Sequence, residues 1–291
     1  MSRLLDGRVA IVTGAGRGLG RAHAEELARQ GARVVVNDLD PVAHEVVAAI
    51  AAAGGEAVAN ADDVADWQGA ARLVAAALAT WGRLDVLVNN AGFVRDRMLV
   101  SAGEEEWDAV VRVHLKGHFA PTRHAVDHWR ARAKAGEPVD ARVINTTSGA
   151  GLRGSIGQAA YSAAKAGIAA LTLVAAAELG RYGITVNAIA PAARTRMTET
   201  TFAEMMKRPE SGFDAMDPAN VSPLVAWLAS GEALKVTGRV FEVAGGTISV
   251  AEGWRTGPLV DRGARWNAAE LSDVVEQLLA DAATAEKVYG S

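Results

Sequence analysis

Residues 8–20 read R-V-A-I-V-T-G-A-G-R-G-L-G, and this stretch decides the fold expected for the chain. Arg8–Thr13 is a short apolar run typical of a buried strand, and the pattern after the glycines predicts an amphipathic helix over Arg21–Gln30. A second apolar run, Ala32–Asn37, is followed directly by Asp38. A strand, a glycine-rich turn, a helix and a strand within about 30 residues predict a βαβ unit.

The alternation of strands and helices continues along the chain. Further strands are predicted at Ala57–Asp63, Leu84–Asn89, Arg142–Thr146, Gly183–Ile189 and Gly238–Ala244. Helices are predicted at Pro41–Ala53, Trp67–Trp81, Glu104–Ala135 with a bend near Pro121, Tyr161 to about Gly180, a Met-rich segment after Pro191, and Pro223–Ala229. Apolar strands separated by helices predict an α/β fold: a doubly wound (Rossmann-like) parallel seven-stranded sheet with helices on both faces.

No Pro/Ser-rich linker divides the chain, so a single domain is predicted over residues 1–291. Its core is expected over about residues 5–250, and residues 251–291 form a C-terminal extension with a late helix near Ala268–Ala280.

Composition narrows the function classes. The chain is 50% hydrophobic with a net charge of −4 and no long basic run, so neither nucleic acid nor an anionic membrane is an expected partner. It has no Cys, which excludes disulfides and Cys-ligated metal, and no H-E-x-x-H pattern, so no metal site is predicted. The start lacks an apolar signal core and the longest apolar run, about Ala169–Ala177, is too short to span a bilayer. A cytoplasmic location is expected.

The glycine-rich turn is suited to a dinucleotide. Glycines allow a tight turn and a close approach of the backbone to a pyrophosphate, which then lies at a helix N-terminus. The candidate contacts are Gly14, Arg17, Gly18, Leu19 and Gly20. Asp38 could accept hydrogen bonds from ribose hydroxyls and would repel a 2′-phosphate, which favours NAD over NADP. Arg17 could meet a 2′-phosphate, which favours NADP. The alternative interpretation of the glycine loop is a tight turn that binds no ligand.

A second motif can do proton chemistry. Tyr161 and Lys165 are four residues apart, which places them on one face of a helix. A nearby ammonium lowers the pKa of a tyrosine from its usual value of about 10, so Tyr161 could exchange a proton near neutrality. Ser148, on the strand or loop before, could hydrogen-bond a carbonyl or alkoxide oxygen. A purely structural i,i+4 pair is the alternative for Tyr161 and Lys165 alone.

Taken together, these motifs resemble the short-chain dehydrogenase/reductase family. The matches are T-G-x-x-x-G-x-G at 13–20, the Asp63-Val64 pair, N-N-A-G at 89–92, and Ser148 with Y-x-x-x-K at 161–165. The resemblance implies a Rossmann-like domain, a nicotinamide cofactor, hydride transfer between an alcohol and a carbonyl, and a homotetramer or homodimer.

The resemblance also implies roles for residues. Tyr161 would be the catalytic acid/base, Lys165 would hold the nicotinamide ribose and lower the pKa of Tyr161, and Ser148 would orient the substrate oxygen. The remaining candidate cofactor contacts are Asp63 and Val64 beside the adenine, Asn90, Ala91 and Gly92 along the adenosine, and Pro191 after the sixth strand.

Two positions depart from the family pattern. His114 stands where the family usually has an Asn that helps hold a water in a proton relay; imidazole can donate and accept, so a relay and simple packing both stay open. Pro191-Ala192 replaces the usual Pro-Gly. At both positions the chain resembles one subgroup of the family, the (3R)-hydroxyacyl-CoA dehydrogenase unit of peroxisomal multifunctional enzyme type 2 and its bacterial relatives. The fragment R-D-R-M at 95–98 also resembles this subgroup.

The leading hypothesis is therefore an NAD-dependent enzyme that interconverts a secondary alcohol and a ketone on a hydrophobic substrate, with a 3-hydroxyacyl-CoA first. A hydroxysteroid or other secondary-alcohol dehydrogenase is the alternative, and a non-catalytic dinucleotide-binding protein is the remote one. The segment after Pro191 holds four of the six Met and could be an apolar lid or ordinary core. Its cations, Arg194, Arg196, Lys207 and Arg208, could meet CoA phosphates or form a solvated face.

Overall fold

The computed structural model describes residues 3–195 and 206–290. Its strands are β1 Val9–Thr13, β2 Arg33–Asn37, β3 Glu56–Asn60, β4 Val86–Asn89, β5 Ala141–Thr146, β6 Ile184–Ala192, β7 Val240–Ala244 and β8 Thr247–Ala251. Its α-helices are α1 Gly18–Arg29, α2 Ala43–Ala52, α3 Trp67–Trp81, α4 Glu104–Val111, α5 Gly117–Lys134, α6 Gly149–Arg153, α7 Ala159–Leu179, α8 Ser222–Leu228 and α9 Leu271–Asp281.

All eight strands form one sheet in the order β3-β2-β1-β4-β5-β6-β7-β8. Every neighbouring pair from β3 to β7 is parallel, and β8 pairs antiparallel with β7. The doubly wound α/β fold is confirmed, whereas the prediction of seven strands, all parallel, is wrong by this edge strand. Because β1 and β4 are adjacent, the sheet order reverses between them, and the carboxyl ends of both strands open on one crevice.

Helices cover both faces of the sheet, and each face has its own core. On one face Leu27 of α1, Val46 of α2 and Leu228 of α8 pack together with side chains from the strands. On the other face Leu73 of α3 and Trp129 of α5 pack with residues of α7. The buried Trp129 also donates its indole N–H to the carbonyl of Leu84 at 2.7 Å, so this polar group is paired.

The long helix predicted over Glu104–Ala135 is interrupted. A single π-helical stretch, Arg112–Lys116, separates α4 from α5, and His114 lies within it. Pro121, near which a bend was predicted, lies inside α5. π-Stretches widen a helix by one residue and occur often at functional sites, and here the widening turns His114 toward the crevice.

The C-terminal extension contains α9, which lies close to the predicted late helix, whereas β8 ends where the extension begins. Much of the predicted Met-rich helix lies outside the described residues. Its members there are Arg196, Met197, Phe202 and Met205. Among the described helices, only α7 extended to Tyr182 has the length and apolar composition to cross a membrane, a test that core helices of soluble proteins also pass.

Candidate active site

The three predicted catalytic residues converge at the carboxyl end of β5. Ser148 follows that strand and caps α6, its Oγ accepting the Ala150 N–H at 3.2 Å. Tyr161 and Lys165 lie one turn apart in the first part of α7. The side chains of Ser148 and Tyr161 are hydrogen-bonded to each other. All three residues line one pocket of about 130 Å³.

Burial dominates the proton affinities in this pocket. Burial raises the pKa of Tyr161 above its usual value, although the hydrogen bond from Ser148 lowers it in part. Burial also lowers the pKa of Lys165 to about 7. Lys165 Nζ donates to the carbonyl of Thr146 at 2.6 Å and lies 5.6 Å from the Tyr161 ring centre. The pKa of Tyr161 is therefore raised by burial in this arrangement, not lowered by Lys165 as the spacing predicted.

His114 packs against the catalytic tyrosine. The two rings meet edge to face at 88°, with centres 5.1 Å apart. His114 Nε2 lies 2.6 Å from the carbonyl oxygen of Phe93, whereas its buried Nδ1 has no partner among the described residues. Burial and the charge of Lys165 lower the pKa of His114 to about 3, so the ring is neutral at pH 7. A neutral imidazole with one free nitrogen can hydrogen-bond a group that enters the pocket.

Buried histidines predict a steep acid dependence of stability. Burial lowers the pKa of His23 and His114 from 6.5 to about 3, and lowers that of His118 as well. Between these limits the unfolded chain binds protons that the folded chain does not, so stability present above pH 6.5 is lost as pH falls toward 3. Each such histidine is expected to cost about 1 kcal/mol of unfolding free energy between about pH 6.5 and about pH 5.5.

Denaturant titrations at the two pH values measure this loss. His23→Gln should reduce the loss of unfolding free energy between these pH values by the contribution of one histidine, about 1 kcal/mol. This difference is expected whether the substitution raises or lowers the stability at about pH 6.5. His44→Gln is the matched control, because His44 is exposed. Equal pH dependence in wild type and His23→Gln would contradict the assignment.

A larger cleft of about 550 Å³ adjoins the catalytic pocket. The two share five lining residues: Leu19, Asn90, Gly92, Val94 and Thr195. The cleft is lined by eleven of the predicted cofactor residues: Gly14, Arg17, Gly18, Leu19, Gly20, Asp38, Asp63, Val64, Asn90, Ala91 and Gly92. The remaining predicted contacts, Tyr161, Lys165 and Pro191, line the catalytic pocket. The structure therefore brings every predicted site residue into one continuous crevice.

The glycine loop has the shape that a dinucleotide needs. Gly14 has a φ of 60°, and a Cβ there would lie 2.7 Å from the Ala91 backbone, so only glycine fits. Asn90 holds the facing turn in place, its Nδ2 donating to the carbonyls of Thr13 at 3.0 Å and Gly14 at 3.2 Å. The N-terminus of α1 opens into the cleft at Gly18, where its backbone N–H groups suit phosphate. The residues present thus fit a nicotinamide dinucleotide.

Comparison with known proteins assigns this site to a family. The family model described as short chain dehydrogenase matches residues 8–206. The chain belongs to the short-chain dehydrogenase family. It is an oxidoreductase that acts on CH–OH groups, and the family binds a nicotinamide dinucleotide.

Individual relatives of this dehydrogenase are close. It is 46% identical to the hydroxyacyl-CoA dehydrogenase ChsB1 of Mycobacterium tuberculosis over 95% of this chain and 90% of that one. It is 44% identical to peroxisomal multifunctional enzyme type 2 of Mus musculus over 86% of this chain, which spans only 33% of that longer protein. A crystal structure of a short chain dehydrogenase from Mycobacterium avium is 60% identical, covers 99% of this chain and all of its own, and superposes with a TM-score of 0.92.

The adenine end of the cleft of this dehydrogenase contains an ion pair that the motifs did not predict. Asp63 Oδ2 accepts from Arg112 at 2.5 Å, and its Oδ1 accepts the Ala65 N–H at 2.8 Å. Burial acts to raise the pKa of Asp63, but these hydrogen bonds lower it overall. Arg112 belongs to the π-helical stretch, distant in sequence from Asp63, so no local pattern could have shown the pair.

The ribose end contains three carboxylates. Asp38 Oδ2 accepts the Gly16 N–H at 2.9 Å and its Oδ1 accepts the Asp40 N–H at 3.0 Å, which fixes the carboxylate at the end of β2. Arg17 extends to Asp40, with 2.5 Å between them. Asp62 also lines this cleft. Any 2′-phosphate at the end of β2 would therefore meet the fixed carboxylate of Asp38.

One cation of the segment after Pro191, Arg194, differs from both sequence interpretations. Arg194 is buried and forms two hydrogen bonds with Asp214, at 2.6 and 2.8 Å, and a third with the carbonyl of Met206 at 2.6 Å. It is neither a solvated side chain nor a contact for CoA phosphate. Lys207 and Arg208 are exposed, and Arg196 lies outside the described residues.

Sequence reasoning missed other residues of the crevice. Gln158, Thr146, Thr147 and Thr195 line the catalytic pocket. Gln158 directly precedes α7, and its Nε2 donates to Asp96 at 3.0 Å. Its position three residues before Tyr161 was a usable signal, because residues three apart lie on the same side of a helix.

Proposed function

We propose that this dehydrogenase interconverts 3-hydroxyacyl-CoA and 3-oxoacyl-CoA with NAD. The observation that carries the proposal is the continuous crevice, in which Ser148, Tyr161 and Lys165 adjoin a dinucleotide cleft ending at Asp38. The acyl-CoA substrate is supported by the similarity, over nearly the whole chain, to a relative named hydroxyacyl-CoA dehydrogenase.

NAD supplies the hydride acceptor when it is bound. For oxidation, Tyr161 as phenolate would take the proton from the substrate hydroxyl oxygen. The carbon that bears this hydroxyl would lose its hydrogen as hydride to the cofactor, so the alcohol would lose two electrons and two hydrogens. Ser148 holds the reacting oxygen by a hydrogen bond. The Lys165 ammonium would stabilise the phenolate and hydrogen-bond the ribose, as the family pattern implies. For reduction, burial keeps Tyr161 protonated and ready to donate.

His114 is proposed to act by positioning. Its ring supports Tyr161 edge-on, and it remains neutral, so it is not a cationic acid. Its free Nδ1 offers one hydrogen bond to a relay water or to the substrate.

The choice of NAD over NADP is proposed from charge. Asp38 is fixed at the end of β2 by two backbone N–H groups. Arg17 could attract a 2′-phosphate, but its guanidinium is already paired with Asp40. The net charge at this end of the cleft is therefore unfavourable for NADP.

A spectrophotometric assay tests the function. The absorbance of reduced nicotinamide is followed with NAD and then NADP, against 3-hydroxyacyl-CoA esters of several chain lengths, a 17-hydroxysteroid and simple secondary alcohols. Turnover of the CoA esters with NAD is expected. Activity on the steroid or simple alcohols alone would refute the acyl-CoA substrate and leave the family assignment standing. Binding of NADH without turnover of any alcohol would favour the non-catalytic alternative.

We further propose self-association through α5 and α7. Leu173 and Val174 of α7 are 53% and 54% exposed, and Phe119 of α5 is 44% exposed. A groove of about 440 Å³ lies between the two helices. Such an apolar face is suited to a second copy of the chain. Light scattering should give a dimer or tetramer, and Val174→Arg should shift it to smaller species; a monomeric wild type would contradict the proposal.

The cytoplasmic location stays a prediction.

A further inference from the structure

The loop between Ser148 and Tyr161 is held from two sides. On one side Arg97 N–H donates to the carbonyl of Gly157 at 2.8 Å, next to the bond between Gln158 and Asp96. On the other side lies the C-terminal segment, residues 286–290. Because this loop joins two catalytic residues, its conformation sets the distance between their hydroxyl groups.

The C-terminal segment pairs with the loop through its backbone. Ile156 N–H donates to the carbonyl of Tyr289 at 3.0 Å, and Tyr289 N–H donates to the carbonyl of Gly154 at 3.2 Å. Ser155 and Tyr289 form a parallel bridge. A Cβ at Gly290 would contact Ile156, and a Cβ at Gly154 would contact Val288, so the two chains lie directly against each other.

The Tyr289 side chain reaches the start of the loop. Its hydroxyl oxygen accepts from Arg153 Nε at 3.1 Å and from an Arg153 terminal nitrogen at 2.6 Å. A Cβ at Gly149 would lie 2.5 Å from that hydroxyl. Gly149 directly follows Ser148, so the phenol of Tyr289 packs one residue away from the catalytic serine.

Arg153 joins this segment to the sheet. It donates to Glu286 at 2.9 Å, to Glu242 of β7, and to Tyr289, and its side chain is only 19% exposed. The hydrogen bond to Glu242 is the main cause that raises the pKa of Arg153, so the guanidinium stays charged. Charge-assisted contacts of this kind are among the stronger hydrogen bonds in proteins.

The part of the chain that leads to this segment is mostly exposed. No residue of α9 is buried, so the helix is not held by a core of its own. The chain leaves the edge strand β8, runs through exposed residues 252–268 apart from the partly buried Trp266, and returns at residues 286–290 to the catalytic loop. The return therefore depends on the loop contacts rather than on packing of the extension.

We propose that residues 286–290 are a positioning segment that fixes the loop between Ser148 and Tyr161. The proposal rests on the dehydrogenase function above and adds to it a set of residues that act through Ser148 and Tyr161. Tyr289 and Arg153 are its principal members. Loss of the segment is expected to loosen the loop, and so to weaken turnover of substrate, without affecting the distant NAD cleft around Asp38.

Full-length enzyme is compared with a chain ending at Asp281 and with Tyr289→Phe. Tyr182→Phe is the matched control, because Tyr182 also contacts arginines, Arg130 and Arg181, and lies away from the loop. Three quantities are measured: kcat and KM for the substrate, the Kd of NADH by fluorescence, and amide hydrogen exchange of peptides covering residues 149–158.

The truncated chain is expected to lose about tenfold or more in kcat/KM, since small misplacements of reacting groups are costly. Exchange at Ile156 should accelerate by about tenfold, while the Kd of NADH stays within about twofold. Tyr289→Phe should show smaller changes in the same two quantities, about threefold, and Tyr182→Phe none.

Unchanged exchange or unchanged kcat/KM in the truncated chain would overturn the proposal. A parallel loss of NADH affinity and melting temperature would overturn it too, because that result indicates general destabilisation. If wild type turns over no 3-hydroxyacyl-CoA, the proposed function fails. Hydrogen exchange, and kinetics on whichever alcohol is active, still decide the role of the segment.

Discussion

Replacing Tyr161 by Phe is expected to lower kcat by about a thousandfold, the middle to upper part of the range for a lost general acid–base. The ring would remain, with its edge-to-face contact to His114 and its place beside Lys165, because only the hydroxyl is removed. NADH affinity and melting temperature should therefore change little. Steady-state kinetics in both directions, with NADH titration on the same protein, measure the two effects separately.

Two controls sharpen this result. Tyr182→Phe removes a phenol that contacts arginines outside the crevice, and it should keep wild-type kcat. Ser148→Ala should also lower kcat, since Ser148 is the hydrogen-bond partner of Tyr161 in the pocket. Residual kcat within tenfold of wild type in Tyr161→Phe would remove Tyr161 from the proton-transfer step.

Much of the candidate site could be predicted because several of its parts lie at or just after the end of a strand. The glycine loop, Asp38, N-N-A-G and Ser148 come directly after β1, β2, β4 and β5, and parallel strands put their carboxyl ends at one edge of the sheet. Local sequence thus defines the parts, and the topology brings them together. Other contacts join residues that are far apart in sequence, such as the ion pair of Asp63 with Arg112 and the hydrogen bond from Arg153 to Tyr289. No local sequence pattern predicts such contacts.

The errors in the predicted fold have physical reasons as well. β8 was missed although Gly245-Gly246 between two β-type runs is a hairpin signal, because most of its side chains are exposed and its pattern is weak. The π-helical stretch at His114 is only five residues long, Arg112–Lys116, within a longer helical run, so sequence periodicity could not locate it. The pKa of Tyr161 depends on burial, which spacing alone does not give.

Replacing Asp38 by Asn is expected to shift the ratio of kcat/KM for NAD over NADP by roughly a hundredfold toward NADP. Two like charges about 5 Å apart at an effective dielectric constant of about 20 repel by roughly 3 kcal/mol, which corresponds to that factor. The amide oxygen of Asn can still accept the Gly16 N–H, so the loop should keep its shape. Affinity for NAD should fall more modestly, through weaker hydrogen bonds to the ribose.

Asp62→Asn is the matched control for this charge change. Asp62 lines the same cleft, but its carboxylate is paired with Arg72 at 2.7 Å. Its substitution should leave the cofactor ratio nearly unchanged. Asp40→Asn should act in the direction of Asp38→Asn, because it frees Arg17 from its ion pair to meet a 2′-phosphate. A wild-type enzyme that prefers NADP, or a ratio that Asp38→Asn leaves unmoved, would show that the fixed carboxylate at the end of β2 does not select the cofactor.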